Sequence, residues 1–313
     1  MDISFVIPVH NEQDNVKPLF EEIKSIFNSL SQKYKSYEVI FIDDGSSDKT
    51  FESLIKIKDS HVKLIKLRKN FGQSAALLAG FHNATGNIVI TLDGDLQNDP
   101  KDIPKLLAKL EEGFDCVSGW RYKRKDSFSV KISSRLSNFL RHFLINDKIN
   151  DSGCSLKAYR KECLSELELY GELHRYIVTL VSLKGFKIAE IKVNHRERIH
   201  GKTNYNLTKV IKGFMDLIGV WFWQKYSARP MHLFGFLGLV SGTMGLISGF
   251  YSIYLRIFKG TDLSNTFLPT VAVFLVMIGL QFFISGLLAD MLIKNYLLNK
   301  EQKVYSIEKI VEN

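Results

Sequence analysis

Ile88-Val89-Ile90-Thr91-Leu92-Asp93-Gly94-Asp95-Leu96-Gln97 runs five apolar or β-branched residues straight into two carboxylates one glycine apart. The run lacks the polar alternation of a half-exposed strand and reads as a buried parallel one. Asp93 and Asp95 then emerge at its carboxyl end, where open α/β sheets bind ligands. Asn98-Asp99-Pro100 predicts a helix start, with Asp99 as cap and Pro100 at the first helical position. A D-x-D at a strand end suits a hard divalent cation that carries a diphosphate, because one or two carboxylates, phosphate oxygens and water complete an octahedron. Two aspartates in a turn are also ordinary solvated caps, so the pair alone leaves both readings open.

The same order of elements repeats on either side. Ile3–Val9 reads as a first strand ending in Pro8-Val9-His10-Asn11-Glu12, with a helix from about Asn15 to Leu30. Tyr37–Ile42 reads as a second, closing on Asp43-Asp44-Gly45-Ser46-Ser47-Asp48 before a helix over Lys49–Lys58. Val62–Leu67 is a third, followed by Arg68-Lys69-Asn70-Phe71-Gly72 and an alanine-rich helix over Gln73–Ala84. Beyond the central strand come a helix over Pro100–Glu112, a strand over Asp115–Gly119 and a last strand over Gly185–Val193. Strand, acidic turn and helix in alternation predict a mostly parallel α/β sheet with acidic and amide groups gathered at one edge. Asp43 and Asp44 are either turn residues before a helix or carboxylates that hydrogen-bond the base or ribose of a nucleotide. Neither G-x-G-x-x-G nor G-x-x-x-x-G-K-[ST] occurs. A nucleotide here would be held by carboxylates and metal, not by a glycine cradle.

Val6-Ile7-Pro8-Val9-His10-Asn11-Glu12, Asp43-Asp44-Gly45-Ser46, Asn70-Phe71-Gly72-Gln73 and Leu92-Asp93-Gly94-Asp95-Leu96-Gln97 jointly resemble glycosyltransferase family 2. Within it the chain is similar to the polyprenyl-phosphate glycosyltransferases, the dolichol-phosphate-mannose-synthase-like group, over a catalytic domain ending near Tyr205. The resemblance implies a GT-A fold, a UDP- or GDP-linked sugar donor, Mg²⁺ or Mn²⁺, and a lipid phosphate acceptor. By position it places Pro8, Glu12, Asp43, Asp44 and Asp93 around the nucleotide sugar, and Asp93, Asp95 and Gln97 around the metal and diphosphate. Asp151, in Asp151-Ser152-Gly153-Cys154-Ser155, resembles the acceptor-side segment, where it either approaches the sugar or caps a turn. Asp93, Asp95, Arg121 and Asp151 form the candidate catalytic set. The family's basic loop near the diphosphate has its counterpart in 195–205, where Arg196, Arg198 and Lys202 keep its character. Thr203-Asn204 stands where many relatives carry serine-lysine. His195 and His200 have no third ligand at metal spacing and read as polar loop residues.

Composition narrows the partners. The 313 residues carry a formal charge of +9, which suits phosphates, anionic lipid or nucleic acid. The cations form no single block, so nucleic acid is excluded as the expected partner. Cys116, Cys154 and Cys163 lie far apart without a C-x-x-C, which predicts neither a zinc site nor a disulfide framework and points to a reducing compartment. A strand at Ile3–Ile7 leads to the expectation of no cleavable signal peptide.

Leu233–Leu255 and Thr266–Ala289 are 23 and 24 residues without a charge. Each exceeds the ~20 residues that span a bilayer core as a helix, and a pair of C-terminal spans is typical of the membrane-anchored branch of the group. The expected organisation is a catalytic domain over 1–205, an interfacial amphipathic segment over 206–229, two transmembrane helices within 230–293 (about 232–256 and 266–290), and a cytosolic tail over 294–313. Lys209, Lys212, Lys225 and Arg229 precede the first span, Lys294, Lys300 and Lys303 follow the second, and only Arg256 and Lys259 flank the far side. This bias places both termini and the active site on the cytosolic face of the cytoplasmic membrane. Ile132, Leu136, Phe139, Leu140 and Phe143 form a helical stripe edged by Lys131, Arg135 and Arg141, which fits an interfacial helix or a packed core helix. Gly238, Gly242, Gly245 and Gly249 fall on one face of the first span, a surface for close packing against the second span, with Gly279 and Gly286, or against a neighbouring protomer in a homo-oligomer.

The chemistry expected is inverting transfer of a sugar to a polyprenyl phosphate, undecaprenyl being the chain of choice. A phosphate monoester with a second pKa near ~6 is mostly dianionic at neutral pH and needs little help from a general base. It does need cations that hold two anions close, and Arg121, Arg135, Arg196, Arg198 and Lys202 are the candidates. A processive polysaccharide synthase is the rival enzyme, but the chain lacks its Q-x-x-R-W motif and extra spans. A catalytically idle membrane scaffold would gain nothing from the acidic set.

Overall fold

The structure, a computed structural model, describes residues 1–122, 149–165, 167–197, 215, 217–222, 225–226, 229–298 and 307–312. They divide into two compact units: Met1–Leu217 with Lys303–Asn313, and Ile218–Gln302.

The first unit is built on four parallel strands side by side: β3 (Val62–Leu67), β2 (Tyr37–Asp43), β1 (Ile3–Val9) and β4 (Ile88–Thr91). Their near-continuous apolar runs follow from burial on both faces; every residue of β2 is buried. Helices α1 (Val16–Leu30), α2 (Thr50–Ile55), α3 (Gln73–Asn83) and α4 (Ile103–Glu111) connect or follow them. Leu19 and Ile23 of α1 and Leu106 of α4 share one core with Phe5, Ile7 and Phe41. The other face is covered by α3, with Ala75, Ala76 and Ala79 against Val6, Ile40 and Ile42. Small residues let α3 lie close to the sheet: a Cβ on Gly80 would meet Val6 Cγ1 at 2.3 Å.

The sheet continues through β5 (Cys116–Trp120), β6 (Lys157–Arg160), β7 (Ile188–Lys192) and β8 (Ile307–Glu312), in the order β7-β5-β6-β4-β1-β2-β3-β8. A short α5 (Ile177–Leu183) precedes β7. Strand β6 runs antiparallel between β4 and β5, and β8 runs antiparallel along β3. The expected mostly parallel α/β sheet is present, and its first elements fall within a few residues of their sequence boundaries. The helix expected over Pro100–Glu112 opens with a separate 3-10 turn, Pro100–Asp102, where Asp99 Oδ1 accepts the Lys101 N–H at 3.1 Å as its cap. Strands β6 and β8 were not foreseen. β6 is four residues with a lysine first, too short to show a period. β8 lies in the stretch read as a tail and finds its partner some 240 residues away in β3.

The second unit holds α6 (Pro230–Lys259) and α7 (Leu268–Leu298). Both are long and apolar enough to cross a membrane. Outward side chains such as Leu239, Ile247 and Phe250 are about 70% exposed, an apolar surface that lipid rather than water would cover. The glycine face is used between the two helices. A Cβ on Gly238 would meet the Gly279 carbonyl oxygen at 2.9 Å, and one on Gly245 would meet the Ala272 carbonyl oxygen at 2.9 Å. Of the four, Gly242 contributes only backbone: a Cβ there would meet nothing within 4 Å. The close approaches are thus spaced by heptads, Gly238 with Gly245 on α6 and Gly279 with Gly286 on α7. Residues 217–222 are helical; the rest of 206–229 lies largely outside the described residues, as does the stripe that carries Arg135.

Candidate active site

Because β1 to β4 are parallel, all four deliver their following loops to the same sheet edge. The second strand ends in Asp43, whose Oδ1 accepts the backbone N–H and the hydroxyl of Ser46 at 3.0 and 2.5 Å. Asp43 is buried and holds the turn. Gly45 is required at that turn: its φ is +65°, and a Cβ would sit 2.5 Å from the Asn70 nitrogen. Asp44 reaches across to the loop after β3, its Oδ1 accepting the Phe71 N–H at 2.7 Å and its Oδ2 the Gly72 N–H at 2.9 Å. Burial raises its carboxyl pKa, against the two N–H groups that lower it.

Leu92, Asp93, Gly94 and Asp95 follow β4. Gly94 packs beneath β1, where a Cβ would meet Val9 Cγ1 at 2.7 Å. Leu96 takes a left-handed backbone, φ 61°, an uncommon cost for a bulky side chain and one that clusters at functional sites. The Gln97 N–H donates to Asp95 Oδ1 at 3.1 Å, which fixes Asp95 in the turn. Gln73, the first residue of α3, donates from Nε2 to Asp93 Oδ1 at 2.8 Å. Burial first and the Asp95 charge second raise the Asp93 pKa, with Ser155, Arg121 and Lys157 pulling it down. Two neighbouring carboxylates, one of them already driven toward protonation, are an arrangement that a divalent cation would relieve. Among the described residues no group of three or more His, Cys, Asp or Glu side chains could hold a metal. Asp93 and Asp95 are two carboxylates, the number that Mg²⁺ takes when diphosphate oxygens and water fill its remaining positions.

Behind the pair, Asn98 Oδ1 accepts the Asp93 N–H at 3.1 Å and the Ser155 hydroxyl at 2.8 Å. Lys157, opposite Thr91 in the β4–β6 register, is 4% exposed and donates to the Ser152 carbonyl at 3.4 Å. Its burial lowers its pKa, while Cys154, Cys116, Asp151 and Asp93 favour the charged form. Arg121, just after β5, forks onto Asp151: Nε to Oδ2 at 2.7 Å and Nη2 to Oδ1 at 2.9 Å. Asp151 is in turn seated by Glu190, which accepts its N–H at 2.9 Å. So Arg121 and Asp151, read separately from the sequence, form one part-buried bidentate pair.

Arg196 ties its loop to the acidic turn. Its N–H donates to the Gln97 carbonyl at 2.9 Å, and its guanidinium bonds Glu22 at 2.8 Å and Asp99 at 2.6 Å. The Gln97 side-chain amide donates back to the Arg196 carbonyl at 3.5 Å. Glu12 accepts from Asn15 Nδ2 at 2.5 Å at the start of α1, and Pro8 lies one residue before the end of β1. The set Pro8, Glu12, Asp44, Asp93, Asp95 and Gln97 thus collects at one edge, with Arg121, Asp151 and Arg196 on the side of β5 and β7. Arg135, Arg198 and Lys202 lie outside the described residues. Gln73, Asn98 and Ser155 stood in quoted stretches of the sequence without a role of their own, and Lys157 was not singled out. The contacts of Gln73, Asn98 and Ser155 become visible only in the folded chain, and that of Lys157 only through the β4–β6 pairing.

Comparison with known proteins agrees with this geometry. Residues 4–168 match the glycosyl transferase family 2 model. A dodecaprenyl-phosphate galacturonate synthase of Rhizobium johnstonii is 35% identical, across 100% of this chain and 94% of that protein. An undecaprenyl-phosphate 4-deoxy-4-formamido-L-arabinose transferase of Salmonella choleraesuis is 34% identical, across 99% of this chain and 93% of its own length. Among solved structures, glucosyl-3-phosphoglycerate synthase of Mycobacterium tuberculosis with Mn²⁺, UDP and glucosyl-3-phosphoglycerate superposes with a TM-score of 0.55 at 19% identity, over 71% of this chain and 79% of that one. This likeness shows the fold, the GT-A arrangement implied by the sequence motifs. A mostly parallel sheet with its acidic turns on one edge, two apolar C-terminal helices and a match over more than half the chain lead to one statement: the protein belongs to glycosyltransferase family 2.

Proposed function

We propose that the protein transfers a sugar, with inversion, from a nucleotide-diphospho-sugar to a polyprenyl phosphate at the cytosolic face of the cytoplasmic membrane. The observation that carries this reading is full-length likeness to two relatives named for sugar transfer to polyprenyl phosphates, the apolar helices included. Pro8, Glu12, Asp43 and Asp44 lie at the nucleoside end, and Asp93 and Asp95, with Gln97 beside them, at the diphosphate. A bound Mg²⁺ or Mn²⁺ would supply positive charge to the departing diphosphate. Asp93 and Asp95 would hold it, braced by Asn98 on the Asp93 N–H and by the Gln97 N–H on Asp95 Oδ1. Arg121, held against Asp151, and Arg196, Arg135, Arg198 and Lys202 supply the basic character that an anionic acceptor needs. No side chain is required as base, because the attacking phosphate oxygen is already ionised.

The position of β8 supports the orientation. It follows both apolar helices in the chain and yet pairs with β3, so two crossings would return the chain to the side of the sheet. The excess of Lys and Arg at that end of the helices makes this the cytosolic side.

The test is incubation of purified protein with undecaprenyl phosphate and, in turn, labelled UDP-glucose, UDP-N-acetylhexosamine, GDP-mannose and nucleotide-linked galacturonate and 4-deoxy-4-formamido-L-arabinose. One donor should give a lipid-extractable monosaccharide product that disappears with chelator. Polymer from any donor would favour a processive synthase instead.

A further inference from the structure

Three consecutive residues, Phe71 to Gln73, join the two carboxylate groups of the site. Asp44, after β2, accepts the Phe71 and Gly72 N–H groups at 2.7 and 2.9 Å. Gly72, with a φ of +92° open only to glycine without strain, turns the chain directly into α3. The next side chain, Gln73, donates to Asp93 Oδ1 at 2.8 Å. The α3 backbone from this point is pinned by Ser74, whose Oγ accepts the His174 N–H at 3.0 Å and lies 3.1 Å from the His174 ring Nδ1. The Gln73 amide therefore has little freedom: one neighbour is fixed by Asp44 and the other by His174.

We infer that Gln73 is a positioning residue for the Asp93 carboxylate, and that Asp44 acts on the cation site through the segment 71–73. The inference rests on the reading of Asp93 and Asp95 as cation ligands given above. A carboxylate that ligates a metal must present a chosen oxygen lone pair, and a hydrogen bond on its flank sets that orientation. Gln73 occupies one side of Oδ1 and leaves Oδ2 and the remaining lone pairs to other partners. Its amide carries no charge, so it orients Asp93 without competing for the cation as a lysine would. The nucleoside end of the site and its diphosphate end would then be braced by one short piece of chain. Asp44 would matter for cation binding even when no nucleotide is present.

The measurement is Mn²⁺ binding to the full-length protein in detergent without nucleotide, followed by the loss of the free-ion paramagnetic signal. Wild type, Gln73→Leu, Gln73→Met, Asp44→Ala and the double variant Asp44→Ala/Gln73→Leu are compared. Gln73→Leu and Gln73→Met should weaken Mn²⁺ about 10–100-fold, the range for outer partners of metal ligands, with circular dichroism unchanged. Asp44→Ala should weaken it too, and the double variant should be no weaker than Gln73→Leu alone, the non-additivity expected of groups acting through one path. The glutamine-to-methionine change keeps chain length, so it guards against a leucine that fails to fold. If wild type takes up Mn²⁺ and both Gln73 variants do so equally well, the positioning role is wrong. If the losses at Asp44 and Gln73 simply add, the path between them is wrong. If wild type takes up no Mn²⁺ while still binding UDP, the cation reading itself falls, and this inference with it.

Discussion

Asp95 sits in a turn that a buried left-handed Leu96 and a glycine with no room for a Cβ hold in shape. A single oxygen replaced there tests the chemistry with little effect on the fold. Asp95→Asn should lower transfer by more than about 100-fold, beyond the usual loss for an outer partner, while the thermal transition stays in place. Near-normal metal-dependent turnover would remove Asp95 from the site. His174 provides a second test, of the support rather than the chemistry. Burial lowers its pKa to about 3, against about 6.5 in an unfolded chain. Between those values the unfolded state binds a proton that the native state refuses. Stability therefore falls as pH drops from about 6.5 toward 3, by about 1.4 kcal/mol per pH unit for one proton. His174→Asn should flatten that acid limb in thermal scans from pH 7 to pH 4; parallel curves for both proteins would mean that His174 does not carry the effect. At this scale the strand-end aspartates were legible, because an apolar run that ends in carboxylates says where they emerge. The contacts of Gln73, Ser155 and Glu22 were not, because their partners are 20 to 174 residues away.

Among elements, a helix pair that local pattern makes evident contrasts with a strand that only its partner makes visible. α6 and α7 were evident from length and hydropathy, and a shared glycine face was expected; which glycines meet the partner depends on helix rotation, which spacing alone does not fix. Gly238→Leu and Gly245→Leu should each separate the helices, since their Cβ positions lie within 3 Å of α7 atoms. Gly242→Leu should be tolerated, because its Cβ would point into open space. Thermal stability in detergent and cross-linking between the helices would show the contrast, and equal behaviour of all three would contradict the observed rotation. Strand β8 was invisible because a six-residue edge strand owes its form to β3. Deleting residues 303–313 should uncover the β3 edge, lower the thermal transition and promote aggregation. An unchanged transition would show that β8 adds nothing to the sheet.

At the scale of the whole molecule, the sequence motifs led to the α/β fold, the family and the pair of long apolar helices, all of which depend on local patterns. The antiparallel insertion of β6 and the return of the chain through β8 are long-range pairings and needed the structure. That return gives a topological prediction: cysteine-reactive or protease-cleavable tags at the two termini should be accessible from the same side of inverted membrane vesicles. Tags accessible from opposite sides would mean that one apolar helix does not cross. The central claim is that the acceptor is an already ionised phosphate carried on a polyprenyl chain. The most direct measurement offers the protein its active donor with polyprenyl phosphate or with the free polyprenol of the same length, and follows labelled sugar into the lipid extract. Label should enter only with the phosphate, in a product whose mass is the lipid phosphate plus one sugar residue. Equal transfer to the free alcohol, or label recovered in a water-soluble polymer, would contradict the account.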